Sequence, residues 1–579
     1  MKDLKYTEII ELNKVLSKEK FDRKYKIGVI SNVTVNSITT ILEYKCRLNS
    51  IEPEVVIGNF DNIVQDSITF REKDLVIVLF DIFFVIDQLD NLFENVDDGE
   101  FENLKRNIQN TIDLAFSNLQ STSSVIFNKF SSFYFLYSPL YNSIIIKLVK
   151  ELNAYMESVA PANVVLVDID RIFSAAGFDA CFDQRFYESS KAPYSLVFWK
   201  GYSDIVENVL IKNTGKYKKA LIFDCDNTLW AGILGEDGME GIEMSSKTKK
   251  GKFFKRVQQI ASYLAKRGII IGLCSKNNEC DVLEVLRTHK DVFIKEDEIT
   301  IHQVNWNDKA SNLLSISREL NIGLDSLIFV DDSSFEINLI NQKLPEILTI
   351  QVPAKLSDYP GLILQYSNRY FNLNPIQEDL NKVAMYKKQF ERESTKNAFD
   401  SIEDYLGSLQ IQLIIKKNDK DNLVRITQLT QKTNQFNLTT KRYTETQVGQ
   451  FMNQPSGLVF SLSVADKFGD SGLTGICIVV EGSEFAGTAH IDTLLMSCRV
   501  IGRNIEFVFL NHVIEYLKKM KYRIITTDYF FTKKNLLVED FYDRAGFKVV
   551  SHNENDKKYQ LIIDNYKPVV IDYINLNTE

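Results

Sequence analysis

The chain has 579 residues, of which 45% are hydrophobic and 25% charged, and a formal net charge of −9. That length is too great for one hydrophobic core and, at roughly 100–200 residues per domain, implies three or four domains. The acidic balance argues against non-specific nucleic-acid binding, which needs a basic surface, though it leaves room for a local basic patch; no nucleic-acid partner is expected.

Met1 to Asp22 are charged and amphipathic, unlike a signal peptide. Strand-like apolar runs then alternate with helical patterns: Tyr25–Ser31, Val55–Ile57, Leu75–Phe80, Val125–Asn128 and Val164–Ile169. The most apolar stretch, Asp74–Asp87, is broken by Asp81 and too short to span a bilayer, so no membrane partner and a cytoplasmic location are expected. The alternation predicts a parallel α/β domain over residues 1–213. Ser31, closing Val29-Ile-Ser-Asn32, sits where some α/β esterases carry a nucleophile. All five histidines (289, 302, 490, 512 and 552) lie beyond this domain, so a Ser-His-Asp mechanism has no base here. An SGNH-like but non-hydrolytic scaffold or docking domain is the expectation.

The next segment, 214–370, opens on Lys219-Ala-Leu-Ile-Phe-Asp-Cys-Asp-Asn-Thr-Leu-Trp230. A buried strand that stops on Asp224 and Asp226 puts two carboxylates at the mouth of a sheet, where open α/β folds bind ligands. Carboxylates this close favour a divalent cation with oxygen ligands, Mg²⁺ above all. Ala231-Gly-Ile-Leu-Gly-Glu-Asp-Gly238 reads as a tight turn or flap above them. A helix follows with Phe253, Val257, Ile260, Ala261 and Leu264 on one face. A second strand stops at Ser275-Lys-Asn-Asn278, where a hydroxyl and backbone N–H groups can hold phosphate oxygens. Asn305-Trp-Asn-Asp-Lys309 then precedes a helix. A lysine in a first turn is disfavoured by the dipole, so Lys309 invites a functional reason. A third strand ends in Asp331-Asp332.

Four such motifs in this order resemble the haloacid dehalogenase superfamily of Rossmannoid phosphoryl-transfer enzymes. The resemblance implies Asp224 as nucleophile, Asp226 as general acid and then base, and Ser275 and Lys309 as groups that neutralise the phosphoryl group. It further implies Thr228 and Asn277 as phosphate-binding residues. Mg²⁺ would be held by Asp224, the backbone carbonyl of Asp226, and Asp331, with Asp332 as an alternate ligand. The local words Asp-Cys-Asp-Asn-Thr-Leu-Trp, Leu-Gly-Glu-Asp-Gly, Cys-Ser-Lys-Asn, Asn-Trp-Asn-Asp-Lys and Phe-Val-Asp-Asp are similar to those of the FkbH-like family. Proteins of that family serve polyketide and related pathways and load a three-carbon unit onto an acyl carrier protein. Ala231 stands where glycine is more usual in that family.

Residues 371–400 read as a charged helical linker, with Gln377–Arg392 its core. A further α/β domain is expected over 401–579. Gln431-Lys-Thr-Asn-Gln-Phe-Asn-Leu-Thr-Thr440 and Asp466-Lys-Phe-Gly-Asp-Ser-Gly472 also resemble FkbH-like words. Leu495-Met-Ser-Cys-Arg-Val-Ile-Gly-Arg-Asn504, ahead of a helix, resembles the pyrophosphate loop of the GNAT acetyltransferase fold. Asn504 departs from the usual glycine or alanine, and a phosphopantetheine arm, with one phosphate, asks less of the loop. The resemblance implies Arg499, Gly502, Arg503, Asn504 and Asn535 as pantetheine-binding residues and a GNAT-like acyltransferase domain.

None of the seven cysteines makes a C-x-x-C pair, which fits a reducing compartment better than a disulfide framework. Cys498, just ahead of the phosphate loop, is the candidate acyl-carrying nucleophile, with Arg499 and Arg503 beside it. Cys225, between the two aspartates, is its rival. A basic cluster of Lys518, Lys519, Lys521, Arg523, Lys533 and Lys534 is expected to dock an acidic carrier protein.

The resemblance therefore implies a phosphatase coupled to acyl transfer, acting on an activated phosphoglycerate such as 1,3-bisphosphoglycerate. The competing reading is a Mg²⁺-dependent phosphatase of a small phosphorylated metabolite, with a purely structural C-terminal domain.

Overall fold

The computed structural model describes residues 4–19, 21, 24–87, 98–135, 144–371, 399, 401–454, 456–482, 487–532, 534–553 and 556–578. The chain is a mixed α/β protein. Its contacts divide it into two units, Met1–Asn213 with Tyr443–Gln450, and Thr214–Arg442 with Phe451–Glu579. The sequence-drawn segments 214–370 and 401–579 thus fall largely together in the second unit. Most of the helical linker expected over 371–400 lies outside the described residues. No helix among the described residues is long and apolar enough to cross a membrane.

The first unit is built on β1 (Lys24–Ser31), β2 (Glu52–Phe60), β3 (Leu75–Leu79), β4 (Val125–Asn128) and β5 (Val164–Val167). Their order is β2-β1-β3-β4-β5 and every pairing is parallel. Strands β3 and β4 are buried end to end, as strands covered on both faces must be. Ser31 is 4% exposed; its Oγ donates to the Leu79 carbonyl at 3.0 Å and accepts from the Val33 N–H at 3.1 Å. A hydroxyl so engaged pins the end of β1 to β3.

The second unit holds two sheets. The first comprises β6 (Ala220–Phe223), β7 (Ile270–Ser275), β8 (Ile301–Val304), β9 (Leu327–Asp331) and β10 (Leu348–Gln351), in the order β10-β9-β6-β7-β8, all parallel. Side chains alternate across it, as the strand period of two demands. Leu221, Phe223, Ile271, Leu273, Ile328 and Val330 enter one apolar cluster, whereas Ala220, Ile222, Ile270, Leu327 and Phe329 enter the other. Gly272 allows this spacing, because a Cβ there would lie 2.7 Å from Ile222 Cδ1 and 2.8 Å from Ile301 Cγ2.

Two expectations are corrected here. The helix Lys249–Ala265 buries Phe254, not Phe253, since 254, 257, 261 and 264 share the inward stripe. The expected flap is mainly a short helix, Leu234–Gly241, broken at Gly238 (φ 67°) and started by the Asp237 carboxylate accepting from the Ile233 N–H.

The second sheet runs through β11 (Ile411–Lys417), β12 (Phe436–Asn437), β13 (Leu458–Asp466), β14 (Gly469–Glu481), β15 (Thr488–Met496), β16 (Ile524–Tyr529), β17 (Lys548–Asn553), β18 (Asp556–Ile562) and β19 (Ile574–Thr578). It is mixed: β15 pairs with β16 and β11 with β19 in parallel, the remaining neighbours antiparallel. The helix Ile505–Lys519 packs its Phe509, Leu510, Val513 and Ile514 into this sheet's core.

Candidate active site

Strands β9, β6 and β7 are neighbours and parallel, so their carboxyl ends meet at one edge. Asp224 follows β6, Ser275 ends β7 and Asp331 ends β9. Lys309 comes from the first position of the helix Lys309–Glu319, whose N-cap Asp308 accepts from the Ser311 N–H. Its Nζ lies 3.1 Å from Asp224 Oδ1 and 2.6 Å from Asp331 Oδ2. All three residues are buried, at 4%, 5% and 0% exposure. Burial alone would loosen the lysine's proton, but the two carboxylates prevail and hold it more tightly than usual. Burial and the nearby Asp224 push Asp331 up to about 6, against the pull of Lys309 and the Ser333 N–H. The lysine that the helix dipole disfavours is therefore secured by two anions.

Asp224, Asp331 and the partly exposed Asp332 each offer a carboxylate oxygen, all within 4.8 Å of one another. Three carboxylates facing one lysine leave surplus negative charge, and the donors are all hard oxygens. That set fits a Mg²⁺-like ion and is unsuited to a soft metal. The Asp226 side chain lies outside this triad, so any metal contact from that residue falls to its backbone carbonyl.

Asp226 Oδ1 accepts from Trp230 Nε1 at 2.9 Å and from the Leu234 N–H at 3.0 Å; Oδ2 accepts from Asn277 Nδ2 at 2.9 Å. Burial nevertheless holds its carboxyl above the ordinary range, with Asp224 adding to the effect and the three donors opposing it. A carboxyl whose neutral form is favoured in this way, beside a carboxylate, is suited to general-acid work. Trp230→Phe removes a donor that favours the anion and so raises this carboxyl further. The alkaline limb of the kcat/KM–pH profile for phosphate release is expected to move to higher pH, checked by profiles of both proteins.

Asn277, expected to bind phosphate, donates an amide N–H to Asp226 and so positions that carboxyl. Thr228 is wholly buried; its carbonyl accepts from Tyr359 at 3.1 Å, and its hydroxyl is sealed in with no hydrogen-bond partner among the described residues. Cys225 packs among Leu221 and Phe223, and burial followed by Asp224 pushes its thiol well up, which leaves it a poor thiolate. Sequence reasoning missed the part of Trp230. It stands inside the Asp-Cys-Asp-Asn-Thr-Leu-Trp word, but only the fold shows its indole N–H reaching back to Asp226.

No protein-family model matches the chain, and neither does any curated protein searched. Among solved structures, the chain is similar to the N-terminal part of the protein BF1531 from Bacteroides fragilis, which contains a phosphatase domain and was solved with Mg. Identity is 25%, the TM-score 0.54, and the match covers 64% of this chain and 99% of that one. An acetyltransferase of the GNAT family from Desulfovibrio desulfuricans matches 26% of this chain and 99% of its own, at 12% identity and TM-score 0.21. The ribosomal-protein-S18-alanine N-acetyltransferase of Escherichia coli does so at the same identity and TM-score, over 26% and 94%. Likenesses at that TM-score say nothing about the activity of this chain.

The residues proposed for pantetheine are largely engaged. Arg503 ion-pairs with Asp466 at 3.1 Å and donates to the Arg499 carbonyl at 2.8 Å; Arg499 Nε donates to Ser497 Oγ at 3.3 Å. Gly502 (φ 82°) and Asn504 (φ 60°) turn the chain into the helix Ile505–Lys519, and Asn504 donates to the Tyr573 hydroxyl at 2.8 Å. The buried Glu506 fills that helix's first turn with a carboxyl of its own, where a phosphate would otherwise find positive potential. Asn535 requires correction. It is fully buried, its amide N–H groups donate to the Asn437 and Phe530 carbonyls, and its oxygen accepts from Tyr529 and Thr532. It brackets three segments and has nothing left for a ligand.

Cys498 opens a short 3₁₀ turn (Cys498–Val500) and packs against the apolar cluster that includes Ala220, Ile222 and Leu327. Its carbonyl accepts from Asn321 Nδ2 at 2.6 Å. Asn321 follows the C-terminal end of the same helix that presents Lys309 at its start. Eleven residues of helix span about 16 Å. Cys498 therefore adjoins the amino edge of the first sheet, away from the Asp224 cluster.

Proposed function

We propose that the chain is a Mg²⁺-dependent phosphatase of the haloacid dehalogenase type, coupled to acyl transfer in the manner of the FkbH-like family. The observation that carries the reading is the pairing of Asp224, tied to Lys309 and close to Asp331 and Asp332, with a separate carboxyl, Asp226, held toward its protonated form. The likeness to a phosphatase domain solved with Mg supports it. Bound Mg²⁺ would offset charge on the phosphoryl group. An Asp224 oxygen attacks phosphorus, the bond to the leaving oxygen breaks, and Asp226 gives that oxygen its proton. Asp226, now anionic, takes a proton from water, whose oxygen displaces Asp224 and releases inorganic phosphate.

For a substrate such as 1,3-bisphosphoglycerate, the phosphoryl group taken by Asp224 is the ester one. Attack at the acyl phosphorus would return a free carboxylate and forfeit the activation. An enzyme thiol then attacks the acyl carbon, phosphate departs with the thiol's proton, and a glyceryl thioester remains. Exchange with the pantetheine thiol of an acyl carrier protein completes the loading. Cys498 is the candidate thiol, because Cys225 is sealed in the core. The separation of Cys498 from Asp224 makes these two steps at two places. The first domain serves as an SGNH-like scaffold or docking domain in a cytoplasmic enzyme.

Intact-protein mass spectrometry after incubation with 1,3-bisphosphoglycerate, Mg²⁺ and a carrier protein tests this. A glyceryl mass increment on the carrier is expected. Phosphate release with no increment favours the second reading, a phosphatase with a structural C-terminal domain, to which the engaged Arg503 and Asn535 and the first-turn Glu506 already lean.

A further inference from the structure

Lys276 lies between Ser275 and Asn277, both buried in the site, yet its own side chain is 39% exposed. Its Nζ is 2.7 Å from Glu336 Oε1. Glu336 belongs to the helix Ser334–Lys343 that follows Asp331-Asp332, so the pair links the end of β7 to the segment after β9, on either side of Asp224. Glu336 itself is 7% exposed, and its Oε2 is buried with no hydrogen-bond partner. A buried carboxylate with an unmet oxygen costs stability, and an apolar residue would serve the core better. What Glu336 does achieve is to hold the ammonium of a part-exposed lysine whose two chain neighbours, Ser275 and Asn277, are buried in the site.

We propose that Lys276, positioned by Glu336, forms a second anion subsite that recognises a negatively charged group of the substrate other than the phosphoryl group being transferred. The substrate class is then a small phosphate ester carrying a second anionic group, a carboxylate or a second phosphate. This subsite rests on the phosphoryl-transfer reading and narrows it. Lys309 is buried against Asp224 and Asp331 and so serves the transferred group, whereas Lys276, paired among the described residues with Glu336 alone and part-exposed, is placed to read the remainder of the molecule.

The test uses the full-length protein with Mg²⁺ and two probes that share a phosphate ester, 3-phosphoglycerate, which adds a carboxylate, and glycerol 3-phosphate, which has a hydroxymethyl group there. The ratio of kcat/KM for the first over the second is expected to fall about tenfold in Lys276→Ala, the scale of one charge-assisted hydrogen bond, mainly through KM. Lys276→Arg should restore most of the ratio, and Glu336→Gln should lower it by a smaller factor. A ratio unmoved by Lys276→Ala, or an equal loss on both probes, overturns the subsite alone. Absence of phosphate release from both probes by the wild-type protein overturns the phosphoryl-transfer reading, and the subsite with it.

Discussion

Asp224→Asn is expected to lower phosphate release by about 10³-fold or more, since an amide cannot form the phosphoryl bond that begins the reaction. The change is nearly isosteric, and the structure indicates why the protein should survive it. Asp224 and Asp331 share one lysine, and Asp331 is pushed up by burial first and by Asp224 next. Removing the Asp224 charge relieves that repulsion, while Lys309 keeps its 2.6 Å bond to Asp331. The thermal midpoint without Mg²⁺ should therefore hold or rise as turnover disappears. Phosphate release at saturating substrate and a melting curve on the same preparation check both halves. Persisting turnover would remove Asp224 as nucleophile, and a collapsed midpoint would make the loss one of folding.

Part of the molecule was legible in its sequence for a physical reason. Strands β6, β7 and β9 are short apolar runs that end on, or are followed at once by, a polar residue, and a parallel sheet brings such ends together. Asp224, Ser275 and Asp331 could be picked out because strand ends are a one-dimensional signal. Lys309 stood out because its place in a helix's first turn is unfavourable without partners. What could not be read is how side chains return on the fold. The indole of Trp230 and the amide of Asn277 both reach Asp226, and neither spacing nor composition encodes that. Asn535 failed for the complementary reason: a polar residue in a loop looks available, whereas its burial and five hydrogen bonds appear only when β12, β16 and the following turn are assembled. Phe253 and Phe254 differ by one position, about 100° of helix, and only the packing of Lys249–Ala265 decides which faces inward.

Lys309→Met should be costly in two separable ways. The side chain keeps its apolar length but leaves Asp224 and Asp331 buried together with no cation between them. Breaking a buried ion pair from one side costs about 3–5 kcal/mol, and the thermal midpoint should fall accordingly. The sign with pH follows from Asp331. Its folded carboxyl is held up to about 6, above the ordinary value of about 3.9, so it favours folding below that range and the contribution is lost as pH rises through about 6. Without Lys309 the Asp331 carboxyl rises further, and the variant should be nearest to wild type in acid and most destabilised near neutrality. A divalent cation answers the same surplus charge and binds carboxylates better once they are ionised. Added Mg²⁺ should thus raise the midpoint of Lys309→Met more at neutral than at acid pH, and by more than in wild type. Turnover should not recover with stability. In the proposed reaction Lys309 also faces the charge that develops on the transferring phosphoryl group, and loss of such a preorganised donor costs about 10²–10³-fold in kcat. Melting curves across pH with and without Mg²⁺, set beside kcat under the same conditions, separate the two effects. A variant that melts like wild type at neutral pH without Mg²⁺ would mean that Lys309 does not neutralise this cluster.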